Sequence, residues 1–294
     1  MLASGLQPTD AEMQQVQASV AYLIENLNSK AEDGLVPASH GYHYIGSYAR
    51  QTKPAPADDI DILYIVGEAE KHAGNWHMIT KNTFPYMAAD YDDNNNLSSL
   101  FLLNRIKKAI SSTYPNSDLR RNHEVVNVYL ASYARSFDLV PAWYIRNADY
   151  YLIPQGEQKH RWKKTNPFRD SAIVNTLDKK TSSTTRAAIM IVKHWFTKKR
   201  LVTPRSYHLE AIAYRIFTDM EGPSTTLADS VAVLLNNFGY ENLLQSCPDP
   251  TGLSEHLTSG LQADDIAKIC AEGTKAATIL WCQGEETFLE EIGE

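Results

Sequence analysis

Tyr42-His-Tyr-Ile-Gly-Ser-Tyr-Ala-Arg-Gln-Thr52 is followed, after a Lys53-Pro-Ala-Pro-Ala57 spacer, by Asp58-Asp-Ile-Asp-Ile62. This stretch decides the fold. Side chains alternate faces along a strand, so Asp59 and Asp61 share one face while Ile60 and Ile62 point into a core. Two acids held on one face of a rigid strand are a poor packing surface and a good seat for divalent cations. Upstream, Gly46-Ser47 suits a strand-to-helix turn whose N–H groups and hydroxyl hold phosphates. Asp58 adjoins the pair but faces the other way. Together these residues point to metal-dependent chemistry on a nucleoside triphosphate.

A third acid extends the arrangement. Residues 131–143 read Ala-Ser-Tyr-Ala-Arg-Ser-Phe-Asp-Leu-Val-Pro-Ala-Trp, a strand-like run with Asp138 among apolar neighbours and Pro141 expected to end it. Three carboxylates on adjacent strands hold two Mg²⁺ (or Mn²⁺) ions, one activating a hydroxyl and one bridging a triphosphate. Gly-Ser, then two acids alternating with apolar residues about a dozen positions on, then a lone Asp on a later strand, resembles the DNA polymerase β-like nucleotidyltransferases. Met190-Ile-Val-Lys-His-Trp195 and Pro204-Arg-Ser-Tyr-His-Leu-Glu210 resemble a narrower branch. It holds the oligoadenylate synthases, the animal cyclic GMP-AMP synthase and the bacterial cyclic-oligonucleotide synthases of antiphage signalling, the last being nearest.

The resemblance covers most of residues 40–215 in separated blocks. It implies an α+β fold: a polymerase β-like core, a mixed twisted sheet with helices, plus a C-terminal helical lobe, with the active site in the cleft. It implies a catalytic lobe over residues 1–160 and a helical lobe over 161–294. Asp59, Asp61 and Asp138 are implied as catalytic metal ligands, Gly46 and Ser47 as the cradle of the leaving phosphates, and Lys193 and Ser206 as further phosphate contacts. Tyr207 is implied to stack on a base, and stacking tolerates every nucleobase. Arg161-Trp-Lys-Lys-Thr-Asn-Pro-Phe168 matches a base-pocket segment, in which a small hydroxyl residue such as Thr165 goes with purines and Asn with uracil. Asn166 is the adjacent candidate. Two departures stand out: Gln51, where many relatives have Gly, and the stiff spacer at 53–57.

Composition narrows the partners. The chain has 294 residues, 43% hydrophobic and 21% charged, with a net charge of −7, ordinary for a globular protein. A general nucleic-acid surface is usually basic, so no obligatory DNA activator is expected; the expected partners are NTP substrates and a downstream effector that senses the cyclic product. Cys247, Cys270 and Cys282 form neither a metal-type pair nor a disulfide framework, which suits a reducing compartment. The N-terminal residues show no signal-peptide pattern, and no run approaches the ~18 apolar residues of a membrane span. A cytoplasmic monomer is expected. The same core with another acceptor (a tRNA end, a small molecule or a protein), or an inactive nucleotide-binding scaffold, are the alternative readings.

Periodicity supplies the remaining elements. Helices are predicted over 9–30, with Thr9 and Glu12 as a capping box, and over 97–111, 168–178, 183–199, 206–219, 225–238 and 263–282. Strands are predicted over 42–46 and 59–66, and over 124–131 and 135–139 as a pair joined by a tight turn. Strands early and helices late give α+β.

Overall fold

The computed structural model describes residues 5–69, 79–82, 90–115, 117–130, 135–156, 158–220, 226–239, 241–254 and 256–293. By packing, the chain forms two units: one of residues 9–45 and 57–166, the other of residues 1–8, 46–56 and 167–294.

The first unit carries the sheet. Its strands are β1 (Tyr42–Tyr44), β2 (Asp59–Ala69), β3 (Asp118–Asn122), β4 (Val125–Leu130), β5 (Arg135–Ile145), β6 (Tyr150–Pro154) and β7 (Trp162–Thr165). Their order is β1-β2-β5-β4-β3, with β6 pairing both β5 and β7. Only the β2–β5 pair is parallel among the described strand pairs of this sheet. The alternation of Asp59-Ile-Asp-Ile62 is realised in this sheet: Ile60 and Ile62 are fully buried, Asp59 is exposed and Asp61 partly so.

Helices α1 (Asp10–Glu32) and α3 (Ser99–Thr113) pack against each other, and α3 also packs against β3, β4 and β6. Tyr64, on the face of Ile60 and Ile62, donates its hydroxyl to Asn28 of α1 at 3.1 Å. Helix α1 starts where the predicted capping box puts it. Glu12 N–H donates to the Thr9 hydroxyl at 3.2 Å and Thr9 N–H to the Glu12 carboxylate at 2.8 Å, satisfying two end donors reciprocally. Val16, Val20, Leu23, Ile24 and Leu27 line its buried side.

Pro141 does not end β5, contrary to the sequence expectation; the strand runs on to Ile145. Pairing along one edge of β5 passes from β4, whose register stops at Leu139, to β6, whose register starts at Trp143. At this changeover one edge lacks an in-register partner, which is where a residue without an N–H is accommodated. The expected tight turn before Arg135 falls on residues 131–134, outside the described residues. Strands β3, β6 and β7 were not anticipated by periodicity.

The second unit is helical. A short helix α2 (Gly46–Ala49) is joined by α4 (Pro167–Lys180), α5 (Thr185–Lys198), α6 (Ser206–Asp219), α7 (Leu227–Asn237), α8 (Glu241–Gln245), α9 (Ala263–Cys282) and α10 (Glu285–Ile292). A hairpin of β8 (Ser246–Pro248) and β9 (His256–Thr258) completes it. Pro167 opens α4, where its missing N–H costs no helical bond. Helix α6 is buried nearly all round, from His208 to Tyr214, the pattern of a central core helix. Its neighbours supply Trp195, Phe196, Leu235 and Phe238 to one continuous core. Gly273 of α9 lies so close to α7 that a Cβ would stand 2.7 Å from the Leu235 carbonyl, so this crossing requires a glycine. No helix among the described residues is long and apolar enough to cross a membrane.

Candidate active site

The acids stand on the sheet face opposite the isoleucines. In the parallel register Asp61 pairs with Asp138 and Asp59 with Ser136, so Asp59, Asp61, Ser136 and Asp138 project from one face. The neighbouring antiparallel strand sets Asn127 opposite Asp138. Asn127 donates its amide to Asp138 Oδ1 and to Ser136 Oγ, both at 2.7 Å, which fixes the orientation of the Asp138 carboxyl. Burial raises the pKa of Asp138; the Asn127 hydrogen bond opposes this and the charge of Asp59 adds to it.

Among the described residues no group of three or more His, Cys, Asp or Glu side chains is arranged as a metal cage. Like charges on neighbouring strands repel, and Asp138 is partly engaged by Asn127. The donor set still suits Mg²⁺, which binds oxygen, keeps several waters, and takes one or two carboxylates with substrate phosphates rather than an all-protein cage.

The Gly-Ser turn follows directly from the same strands. Ile45 N–H donates to the Asp61 carbonyl at 3.0 Å, and the next two residues are Gly46 and Ser47. Gly46 sits at φ 66, a left-handed conformation that glycine adopts without a Cβ penalty. The turn closes through Arg50 N–H to the Gly46 carbonyl at 3.3 Å and Thr52 N–H to the Ser47 carbonyl at 2.9 Å. Gln51, the departure from relatives with Gly, also lies at positive φ, 57. This is the left-handed region that glycine adopts without a Cβ penalty.

Gly46 and Ser47 belong with the helical unit, as do Lys193, Ser206 and Tyr207. Glu210, fully buried in α6, organises them. It accepts Arg50 Nε at 2.6 Å, Lys193 Nζ at 2.7 Å, Ser206 Oγ at 3.3 Å and the Tyr214 hydroxyl at 3.1 Å. Burial works against the Glu210 carboxylate, but Arg50 and Lys193 outweigh it and hold its pKa down to about 2. Lys193 also donates to the Thr52 carbonyl at 3.0 Å, and burial lowers its pKa against the pull of Glu210. Tyr207 donates its hydroxyl to Asp170, and the Arg50 guanidinium lies 5.3 Å from the centre of its ring. Burial, then the nearby Asp170 charge, raises the Tyr207 pKa.

Arg50, Glu210, Asp170 and Asn127 were missed as site residues. Arg50 lies in the turn, Glu210 closes the Pro204–Glu210 motif and Asp170 stands two residues beyond Phe168, but the contact that joins Arg50 to Glu210 spans 160 positions, which spacing cannot reveal.

Thr165 and Asn166 fall in the sheet unit. Thr165 pairs with Tyr151, which pairs with Tyr144, so Thr165 shares the acid-bearing face. Tyr144 is six residues beyond Asp138, roughly 20 Å along β5 at the rise of a strand. Asn166 is buried and donates to the Asp149 carbonyl at 2.6 Å, holding the β5–β6 turn.

Residues 78–177 match the model of the Second Messenger Oligonucleotide or Dinucleotide Synthetase domain. The match contains Asp138, Thr165 and Asn166. A probable cyclic nucleotide synthase of Bacillus cereus (strain VD146) is 30% identical over 186 residues, 58% of this chain and 54% of the relative. The chain thus spans about half the length of the curated relative it matches. Among solved structures, CdnC of E. coli MS115-1 with ATP aligns at a TM-score of 0.69 and 11% identity, covering 99% of this chain and 93% of that one. The CdnE cyclic dinucleotide synthase of Elizabethkingia meningoseptica, with GTP and Apcpp, aligns at 0.63 and 13%, covering 92% and 94%. Residues 78–177 are thus similar to a Second Messenger Oligonucleotide or Dinucleotide Synthetase domain, and the chain shares the fold of CdnC and of the CdnE cyclic dinucleotide synthase.

Proposed function

We propose that the chain is a nucleotidyltransferase that joins NTPs, with purines preferred, into a cyclic di- or trinucleotide second messenger for antiphage signalling. The observation that carries the reading is the shared face of Asp59, Asp61 and Asp138, on a fold of known cyclic-nucleotide synthases.

In this reading a ribose hydroxyl of one nucleotide attacks the α-phosphorus of an NTP. The new P–O bond forms as the bond to the β-phosphate breaks, and pyrophosphate leaves. Asp59 and Asp61 would hold Mg²⁺ or Mn²⁺, two ions when complete, and the metal would supply charge stabilisation for the phosphates and a lowered pKa for the attacking hydroxyl. Asp138, oriented by Asn127, takes the hydroxyl proton. Gly46 N–H and Ser47 hold the leaving phosphates with Lys193 and Ser206, and Tyr207 stacks on the base. A second transfer within the linear intermediate closes the ring. A downstream effector senses the product, and no DNA activator is required.

Incubation with ATP, GTP, CTP and UTP, each labelled in turn, tests the reading. Label from ATP or GTP is expected in a product that resists phosphatase. Label from UTP alone would contradict the purine assignment, and label transferred to another acceptor would contradict cyclisation.

A further inference from the structure

Arg50 touches both halves of the nucleotide-holding set in the helical unit. Its Nε donates to Glu210 at 2.6 Å, and the same carboxylate receives Lys193 at 2.7 Å and Ser206 at 3.3 Å. Its Nη1 stands 4.0 Å from Asp170, the acceptor of the Tyr207 hydroxyl, and its guanidinium covers one face of the Tyr207 ring at 5.3 Å. Arg50 is 5% exposed, too buried to meet a substrate.

We infer that Arg50 is a positioning residue of the nucleotide site, setting the Lys193 ammonium through Glu210 and the Tyr207 ring by direct stacking. The inference rests on the reading of Lys193 and Tyr207 as NTP-holding groups. A planar guanidinium meets a carboxylate edge-on while lying flat against an aromatic face; a lysine ammonium is a point charge and does only one of these well. With Arg50 under one face and Asp170 holding the hydroxyl, Tyr207 offers its other face at a fixed angle, and every base has a π face to lay on it. A buried ion pair is weak evidence for stability as such. Serving a lysine and a tyrosine from one guanidinium gives the burial a purpose beyond stability.

The test uses the whole chain in a pyrophosphate-release assay with each of the four NTPs and Mg²⁺. Arg50→Lys keeps the charge facing Glu210 and loses the flat guanidinium. It is expected to raise KM for the preferred NTP roughly tenfold with kcat within about threefold, since uniform binding is lost rather than transition-state contacts. Tyr207→Phe removes the hydroxyl tie to Asp170, and in that background Arg50→Lys is expected to cost distinctly less, because contacting residues are non-additive. A folded Arg50→Lys with native KM, or with an equal effect in both backgrounds, overturns the inference. If Arg50→Lys does not fold, Asp170→Asn serves instead: it leaves the Arg50–Glu210 pair intact and removes the charge between Arg50 and the phenol. A KM raised severalfold supports the inference and a native KM overturns it. A native protein that consumes no NTP overturns the site reading itself and this inference with it, an outcome distinct from an active native protein with indifferent variants.

Discussion

Replacing Asp59 and Asp61 together by Ala removes two like charges from one face of β2 while Ile60 and Ile62 keep their core contacts. Product formation should vanish, and the melting temperature should stay at or above the native value because repulsion is relieved. Ser47→Ala removes one hydroxyl and leaves the backbone of the turn. A hydrogen bond to a charged group is worth about 1.5–3 kcal/mol, so NTP turnover should fall by roughly ten- to a hundredfold; an unchanged rate would make the turn merely structural. Asn127→Ala frees the Asp138 carboxyl from its 2.7 Å tie. Turnover is expected to drop about tenfold with little change in NTP affinity, and a drop in affinity alone would contradict Asn127 as the residue that aims Asp138.

At the scale of elements, the turn between β1 and β2 offers a test of strain. Gln51 occupies φ 57, which costs a non-glycine residue about 1–2 kcal/mol, against about 0.5–1 kcal/mol of extra unfolded-state entropy for glycine. Gln51→Gly should therefore be neutral or stabilising by up to ~1 kcal/mol in denaturant melts; a clear loss would mean the Gln51 side chain makes a contact that outweighs the strain. The α6 network gives a pH dependence. Glu210 is held down to about 2 against an ordinary 4.5. A depressed carboxylate contributes stability that is complete above the ordinary value and lost as pH falls through the folded one. Acid unfolding should steepen between about pH 4.5 and 2, and Glu210→Gln should flatten that limb while lowering stability at pH 7, since two buried cations lose their counter-charge. Elements with a local signature were legible in the sequence: the capping box of α1, the apolar spacing of α5 and α9, and the alternation of β2. Elements whose identity depends on a partner were not. Strand β5 passes through Pro141 because β4 hands over to β6 there, and β7 is a strand because β6 lies beside it.

For the whole molecule, the acids were legible because alternation on a strand is a strictly local fact. The ion network that holds Lys193 and Tyr207 was not, since Arg50 and Glu210 are 160 positions apart and no periodicity links them. The central claim is that Asp59, Asp61 and Asp138 form one metal-assisted site that closes nucleotides into a ring. Its most direct test is the mass of the product formed from unlabelled NTPs and Mg²⁺, for the native chain and the Asp59→Ala, Asp61→Ala double variant. The native chain is predicted to give a species equal to two or three nucleotide monophosphate residues, with no terminal phosphate and one pyrophosphate released per linkage, and the variant none. A native product that keeps its 5′ triphosphate, or a double variant that still makes the ring, would contradict it.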